Sequence, residues 1–156
     1  MNQYDNVTYL AGERILVTRP FVPYDGILCE FLNDLSTKLR SGSESSVYPD
    51  IMAFAFWCRK ANIAKLKTDF KNRETRLGLG VVFHITPSNV PVNFAFSFVF
   101  GLLSGNANIV RVPSKPFPQI DIVCSAINRI FNDTKYSEIK AMNAFINYEQ
   151  NETITG

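Results

Sequence analysis

The sequence predicts an α/β fold: a parallel β-α-β-α-β unit preceded by two amphipathic helices. Three observations predict it. Residues 25–40 and 50–71 repeat apolar side chains every three or four positions, the period of a helix with one buried face. From Leu77 to Val110 there is no Asp, Glu, Lys or Arg, yet proline, glycine and asparagine punctuate the run. After Val81, strand-length and helix-length apolar segments alternate, which implies a parallel sheet with right-handed crossovers.

Composition bounds the alternatives. At 156 residues the chain is the size of one domain and needs no disulfide or metal to complete a core. Hydrophobic residues make up 46% and charged residues 19%, which excludes a disordered chain. Sixteen basic against 14 acidic residues leave a net charge of +2, too little for the electrostatic footprint of a nucleic-acid binder. Cys29, Cys58 and Cys124 are widely spaced and His84 is the one histidine, so no metal-ligand spacing exists. The first residues lack the basic and apolar regions of a signal peptide, and reduced cysteines fit a cytoplasmic protein.

The elements follow in order. Residues 1–22, with Tyr9, Ile15, Val17, Gly12 and Pro20, read as one or two short strands or an arm. Asp25 to about Arg40 is a helix with Ile27, Leu28, Phe31, Leu32, Leu35 and Leu39 inward, Asp25 as N-cap and Ser41-Gly42 as stop. Residues 41–46, SGSESS, are a loop. Asp50 to about Lys71 is a second helix, with Ile51, Phe54, Trp57 or Cys58, Ala61, Leu66 and Phe70 inward. Arg59, Lys60, Lys65, Lys67 and Lys71 form its outer face, read either as a solvated face or as a surface for phosphate or CoA. A strand at Val81–Thr86, a loop PSNVP, a helix from Val92 to Ser104 stopped by Gly105-Asn106, and a strand at Asn108–Val112 come next. A helix at Phe117–Phe131 and a strand at Met142–Tyr148 complete the unit. The longest clean apolar piece, Phe94–Leu103, is too short to span a bilayer. The charge-free run reads instead as strand, helix and strand inside a sheet covered on both faces.

The turn after the first strand of this unit carries the chemistry. A glycine-rich dinucleotide turn is absent, and Pro87-Ser88-Asn89-Val90-Pro91 stands in its place. Pro91 fixes its own φ and keeps Val90 out of the α region, so the turn is stiff. It lies at the carboxyl end of a parallel strand, where ligands of open α/β sheets bind. Asn89 has two readings there: an amide that stabilises a developing oxyanion, or a cap of the following helix. His84, in mid-strand, reads as a buried structural histidine rather than a general base. Each cysteine falls within a helix, where a thiol acts as a small hydrophobe.

The run GLGVVFHITPSNVPVNFAFSFVFGLLSGNANIVRVPSK (78–115), with FAFWCRKANI (54–63) and FPQ (117–119), resembles the aldehyde dehydrogenase superfamily. It is most similar to the long-chain acyl-CoA reductase branch, which includes the fatty-acyl reductase of bacterial bioluminescence. The resemblance implies a Rossmann-like nucleotide-binding fold and divides the chain into an arm and helical segment, 1–75, and a partial NAD(P)-binding domain, 76–156. The family's loop asparagine, an amide donor to the thiohemiacetal oxyanion, maps to Asn89. The backbone lining the nicotinamide ribose maps to Thr86, Pro87 and Ser88. The family's Lys-Pro-Ser-Glu pattern meets Arg111-Val112-Pro113-Ser114-Lys115, with its lysine falling on Arg111 or Val112 according to the anchor chosen. Lys115 replaces the glutamate that pairs with ribose hydroxyls.

That replacement favours NADPH over NADH, because a lysine pairs with a 2′-phosphate and a carboxylate repels it. Arg111 and Lys115 also read as solvated strand-end charges. The family nucleophile, a cysteine in a separate catalytic domain, has no counterpart at Cys29, Cys58 or Cys124. The implied activity is reduction of a fatty acyl thioester, from acyl-CoA or an acyl-enzyme donor, to an aldehyde. The chain would supply the amino-terminal cofactor-binding part, in a homo-oligomer or a complex with an acyl-transferring partner. The competing reading is a non-catalytic, truncated dinucleotide-fold module that self-associates or docks on a partner through an unfinished sheet edge.

Overall fold

A computed structural model describes residues 6–14, 16–70 and 75–148 of the chain. The first helix, α1 (Gly26–Ser41), buries Leu28, Phe31, Leu32, Leu35 and Leu39, and the Asp25 carboxylate caps it by accepting from the Ile27 N–H at 3.1 Å. Its sequence has the right period throughout, and period and cap agree with the expectation.

The second expected helix is two helices, α2 (Pro49–Trp57) and α3 (Lys60–Asp69). The apolar phase explains the break. Ile51, Phe54 and Cys58 are buried on one stripe, but the next buried residue is Ile63, and Ala61 is exposed. A five-residue step does not stay on a 3.6-residue stripe. Arg59 turns to extended backbone, and side chains satisfy the interrupted ladder: Asn33 accepts from the Lys60 N–H and Asn62 donates to the Trp57 carbonyl. Of the basic row, Arg59, Lys60 and Lys65 are exposed and Lys67 is half-buried, while Lys71 lies outside the described residues.

Four strands form one sheet in the order β1-β4-β3-β2: β1 (Val7–Gly12), β2 (Val81–Ile85), β3 (Ala107–Arg111) and β4 (Asn143–Tyr148). Helix α4 (Asn93–Leu103) connects β2 to β3, and α5 (Pro118–Phe131) follows β3. A 3₁₀ turn at Thr134–Tyr136 and a short helix α6 (Ser137–Ala141), neither expected, lead into β4. β2, β3 and β4 are parallel, as the alternation requires. The whole sheet is mixed, because β1 runs antiparallel to β4. Hydrophobic period carries no strand direction, so the arm's orientation was not readable. A register shift between Tyr9 and Ala11 is held by the Asn128 amide of α5, which donates to the Leu10 carbonyl and accepts from the Gly12 N–H. The Ile15 expected in a strand and the segment 149–156 lie outside the described residues.

The core fills one face of the sheet. Phe94 and Phe98 of α4 meet Phe145 of β4, and Phe31 of α1 stacks on Phe131 of α5. The other face of β2 departs from the expectation of burial on both sides: Val81, Phe83 and Ile85 are 49%, 47% and 65% exposed. The reason is that α4, the helix packed on β2, lies on the opposite face with His84, and no other described helix packs as closely on that strand. Gly105 takes φ +83° after α4 and provides the expected left-handed stop. Among the described residues no helix is long and apolar enough to cross a membrane.

Gly101 shows how closely α4 approaches the sheet. A Cβ there would stand 2.0 Å from Asn108 Oδ1 and 2.8 Å from His84 Nε2. Gly101→Ala therefore overpacks a buried polar contact, and such changes cost about 1–3 kcal/mol. A urea titration should show an unfolding free energy lower by that amount, read as a lower midpoint with the slope unchanged.

Candidate functional site

The carboxyl ends of β2 and β3 lie side by side, because Ile85 pairs with Arg111 in parallel register. The loops leaving them, 86–92 and 112–117, emerge at the same edge. The topology thus brings together the two residue groups singled out in the sequence, Thr86 to Asn89 and Arg111 to Lys115.

In the first loop, Pro87, Ser88, Asn89 and Val90 are exposed. A 3.5 Å contact from the Val90 N–H to the Pro87 carbonyl closes the turn. The Asn89 side chain makes no hydrogen bond among the described residues, so its amide is free to donate outward. The helix-cap reading of Asn89 is corrected: α4 begins at Asn93, its N-cap is Val92, and no side chain caps it. Pro91 separates Asn89 from the helix start by too many residues for a cap, whose side chain reaches only two or three residues on. Thr86, the first residue after β2, has its hydroxyl buried and unpartnered.

The second loop resolves which strand-end side chain is available. Val112 is 1% exposed and its N–H bonds to the Ile146 carbonyl. Arg111 is half-buried, and its guanidinium lies 4.5 Å from the centre of the Tyr148 ring. Its Nε is buried without a hydrogen-bond partner. A planar cation stacked on an aromatic ring keeps its edge donors directed away from the ring, and an orphaned buried N–H wants an acceptor. Ser114 and Lys115 are exposed, with the Lys115 ammonium 5.2 Å from the Phe117 ring centre.

Residues 61–153 match the acyl-CoA reductase (LuxC) family. The chain belongs to that family. No curated protein and no solved structure matches it. The segment matching the reductase family begins within α3 and contains both loops, every site residue named above, and all three parallel strands. Helix α1 and strand β1 precede it.

The thiols show which cysteines this family member withholds from chemistry. Cys58 and Cys124 are buried. Burial pushes the Cys58 thiol up to about 12. Burial raises Cys124 further still, with the nearby Asp121 carboxylate adding to the effect. A thiolate is the reactive species, so neither residue is poised as a nucleophile, in agreement with the sequence. Cys29 is half-buried, its thiol donating to the Tyr24 carbonyl at 3.5 Å.

Sequence reasoning misses the partners of two residues, Arg111 and His84. The sequence marks Tyr148 only as the end of a strand, although it stacks on Arg111. It marks His84 as structural but not its partners Ser97 and Asn108, nor Asn143, which Asn108 bonds in turn. Asparagines inside otherwise apolar strands were the available signal, since a buried amide needs partners.

Alkylation near pH 8 should spare Cys58 and Cys124 in the native chain and modify both after denaturation. Mass spectrometry of the labelled peptides reads this directly. Native labelling of Cys58 should rise only as the pH approaches about 12.

Proposed function

We propose that the chain is the amino-terminal, cofactor-binding part of an NADPH-dependent acyl-CoA reductase. The enzyme reduces a fatty acyl thioester to an aldehyde through a cysteine acyl-enzyme, with the cysteine on sequence outside this chain. Residues 76–156 form the nucleotide-binding portion of an aldehyde dehydrogenase-like, Rossmann-like fold. Asn89 carries the reading: an exposed, unpaired amide on a stiff two-proline turn at the carboxyl edge of a parallel strand. An amide carried on a stiff turn stabilises a developing negative oxygen with little backbone reorganisation.

The strand ends suit the cofactor. Arg111 has a buried Nε–H with no acceptor, which an anionic phosphate oxygen would satisfy. Lys115 and the Ser114 hydroxyl follow it on the same loop, and the backbone of Thr86, Pro87 and Ser88 would line the ribose side. The bound dinucleotide supplies the hydride. This chain's residues would hold it and direct the Asn89 N–H at the carbonyl oxygen of the acyl group. The half-exposed Val81, Phe83 and Ile85 of outer strand β2 support the second reading, a non-catalytic docking module. Reductase activity of a full-length protein carrying this sequence decides between the two.

In that full-length protein, Asn89→Ala should slow acyl-enzyme formation by roughly 10²–10³-fold and leave NADPH affinity nearly unchanged. Rapid-quench measurement of the acylation step checks it, and a rate within about threefold of the parent counts against the amide.

Arg111→Ala and Lys115→Glu, titrated separately at fixed ionic strength, should each weaken NADPH binding and leave NADH binding similar or tighter. Charge-assisted hydrogen bonds contribute about 1.5–3 kcal/mol, so the NADPH-to-NADH affinity ratio should fall roughly tenfold or more. An unchanged ratio in both variants identifies these cations as solvated strand-end charges.

A further inference from the structure

The imidazole of His84 is 7% exposed and both its nitrogens are engaged. Nδ1 lies 2.7 Å from Ser97 Oγ on α4, and Nε2 lies 2.8 Å from Asn108 Oδ1 on β3. The Asn108 amide nitrogen gives both hydrogens elsewhere, to the Asn106 carbonyl at 2.9 Å and to Asn143 Oδ1 at 2.8 Å. Asn108 Oδ1 is therefore an acceptor, and the proton between it and His84 sits on Nε2. Nδ1 is then the acceptor of the pair with Ser97, and the serine hydroxyl donates. The Asn143 amide donates in turn to the Ile139 carbonyl at 2.6 Å. The row is satisfied from end to end and runs from α4 across the three parallel strands to α6.

His84 and Ser97 flank the loop that carries Asn89. His84 is the penultimate residue of β2, and Ser97 lies just over one turn into α4. The prolines stiffen the loop locally, but hydrogen bonds tie it little to the rest: the Val90 to Pro87 contact is long, and the Thr86 hydroxyl has no partner. We infer that His84 and Ser97 are the positioning residues of Asn89, a clamp that joins both stems of its loop. The inference rests on the proposed role of Asn89 for its catalytic meaning. The Ser-His-Asn order also resembles a nucleophile, a base and an orienting group. Ser97 is the fifth residue of α4, however, so its own backbone N–H and those that follow are spent on the helix and do not form an oxyanion hole around its hydroxyl.

The test uses the full chain, isotopically labelled, with no substrate or cofactor, so it fails independently of the reductase reading. In the parent, imidazole nitrogen correlations should show the proton on His84 Nε2, and the backbone amides of Ser88, Asn89 and Val90 should have order parameters near the rigid value of about 0.85. Ser97→Ala removes the hydroxyl with a good helix former in its place, and should lower those three values below about 0.6, the flexible range. Ser97→Thr, which keeps a hydroxyl, should restore them. Ser36→Ala is the control: Ser36 is a fully buried helical serine, donating to the Ala55 carbonyl on α2 at 2.6 Å. It should leave the loop unchanged. The inference is overturned if the parent loop is already flexible, if the proton is on Nδ1, if Ser97→Ala leaves the loop rigid, or if Ser36→Ala loosens it equally.

Discussion

Three polar side chains on adjacent parallel strands, His84, Asn108 and Asn143, are buried in a row within an otherwise apolar core. Each would cost about 1–3 kcal/mol if left without a partner, so the sheet must be assembled in the one way that satisfies all of them. Asn108 is paired in register with Asn143, and His84 reaches Asn108 from the neighbouring strand. Slipping β3 by one residue would turn Asn108 to the opposite face and strand both partners. Apolar contacts such as Phe98 on Phe145 supply the bulk of the burial, but they tolerate small shifts that hydrogen bonds do not. The polar row selects the register, and the apolar packing stabilises it. Gly101 belongs to the same constraint, because only a residue without Cβ lets α4 lie against the row.

The edge where the parallel strands end has its own electrostatic logic. No Asp, Glu, Lys or Arg occurs from Leu77 to Val110, so Arg111 is the first charge met along the charge-free segment and Lys115 the second. Neither faces an acidic partner among the described ion pairs, which lie elsewhere: Arg19 with Glu138, Lys135 with Glu30 and Asp34, and Lys140 with Glu13. Aromatic rings hold both cations instead, Tyr148 under Arg111 and Phe117 under Lys115. A ring orients a cation without neutralising it. Among the described residues, the edge therefore holds two cations without acidic partners beside an uncommitted amide, a combination suited to an anionic ligand.

Much of this was legible in the sequence, and the misses have physical causes. Helices α1, α4 and α5 announce themselves by long, unbroken periods and by Asp25 and Gly105 at their ends. The single helix expected from Asp50 failed because Ala61 suits the apolar stripe by type but not by contact, and one five-residue step hid the break at Arg59. The antiparallel arm and α6 failed for another reason: a six-residue strand and a five-residue helix take their identity from tertiary neighbours such as Asn128. At the site, the stiffness of the two-proline turn was readable residue by residue. The cap reading of Asn89 was equally compatible with the sequence, and only the helix starting point at Asn93 removes it.

β2 joins these findings because its two faces do different work. Toward the core it presents His84, locked to α4 and β3. Toward the other side it presents Val81, Phe83 and Ile85, about half exposed. A strand this apolar on an outer edge, with no lysine, proline or bulge in its five residues, has none of the usual protection against further pairing. Its rigidity must then come from the inward face, and that face is where the polar row begins. The same side chain that fixes the strand's register also stands two residues before the loop that displays Asn89. Order at the edge thus depends on satisfaction in the core: any change that frees His84 from its partners loosens the register of β2 and the aim of the amide together.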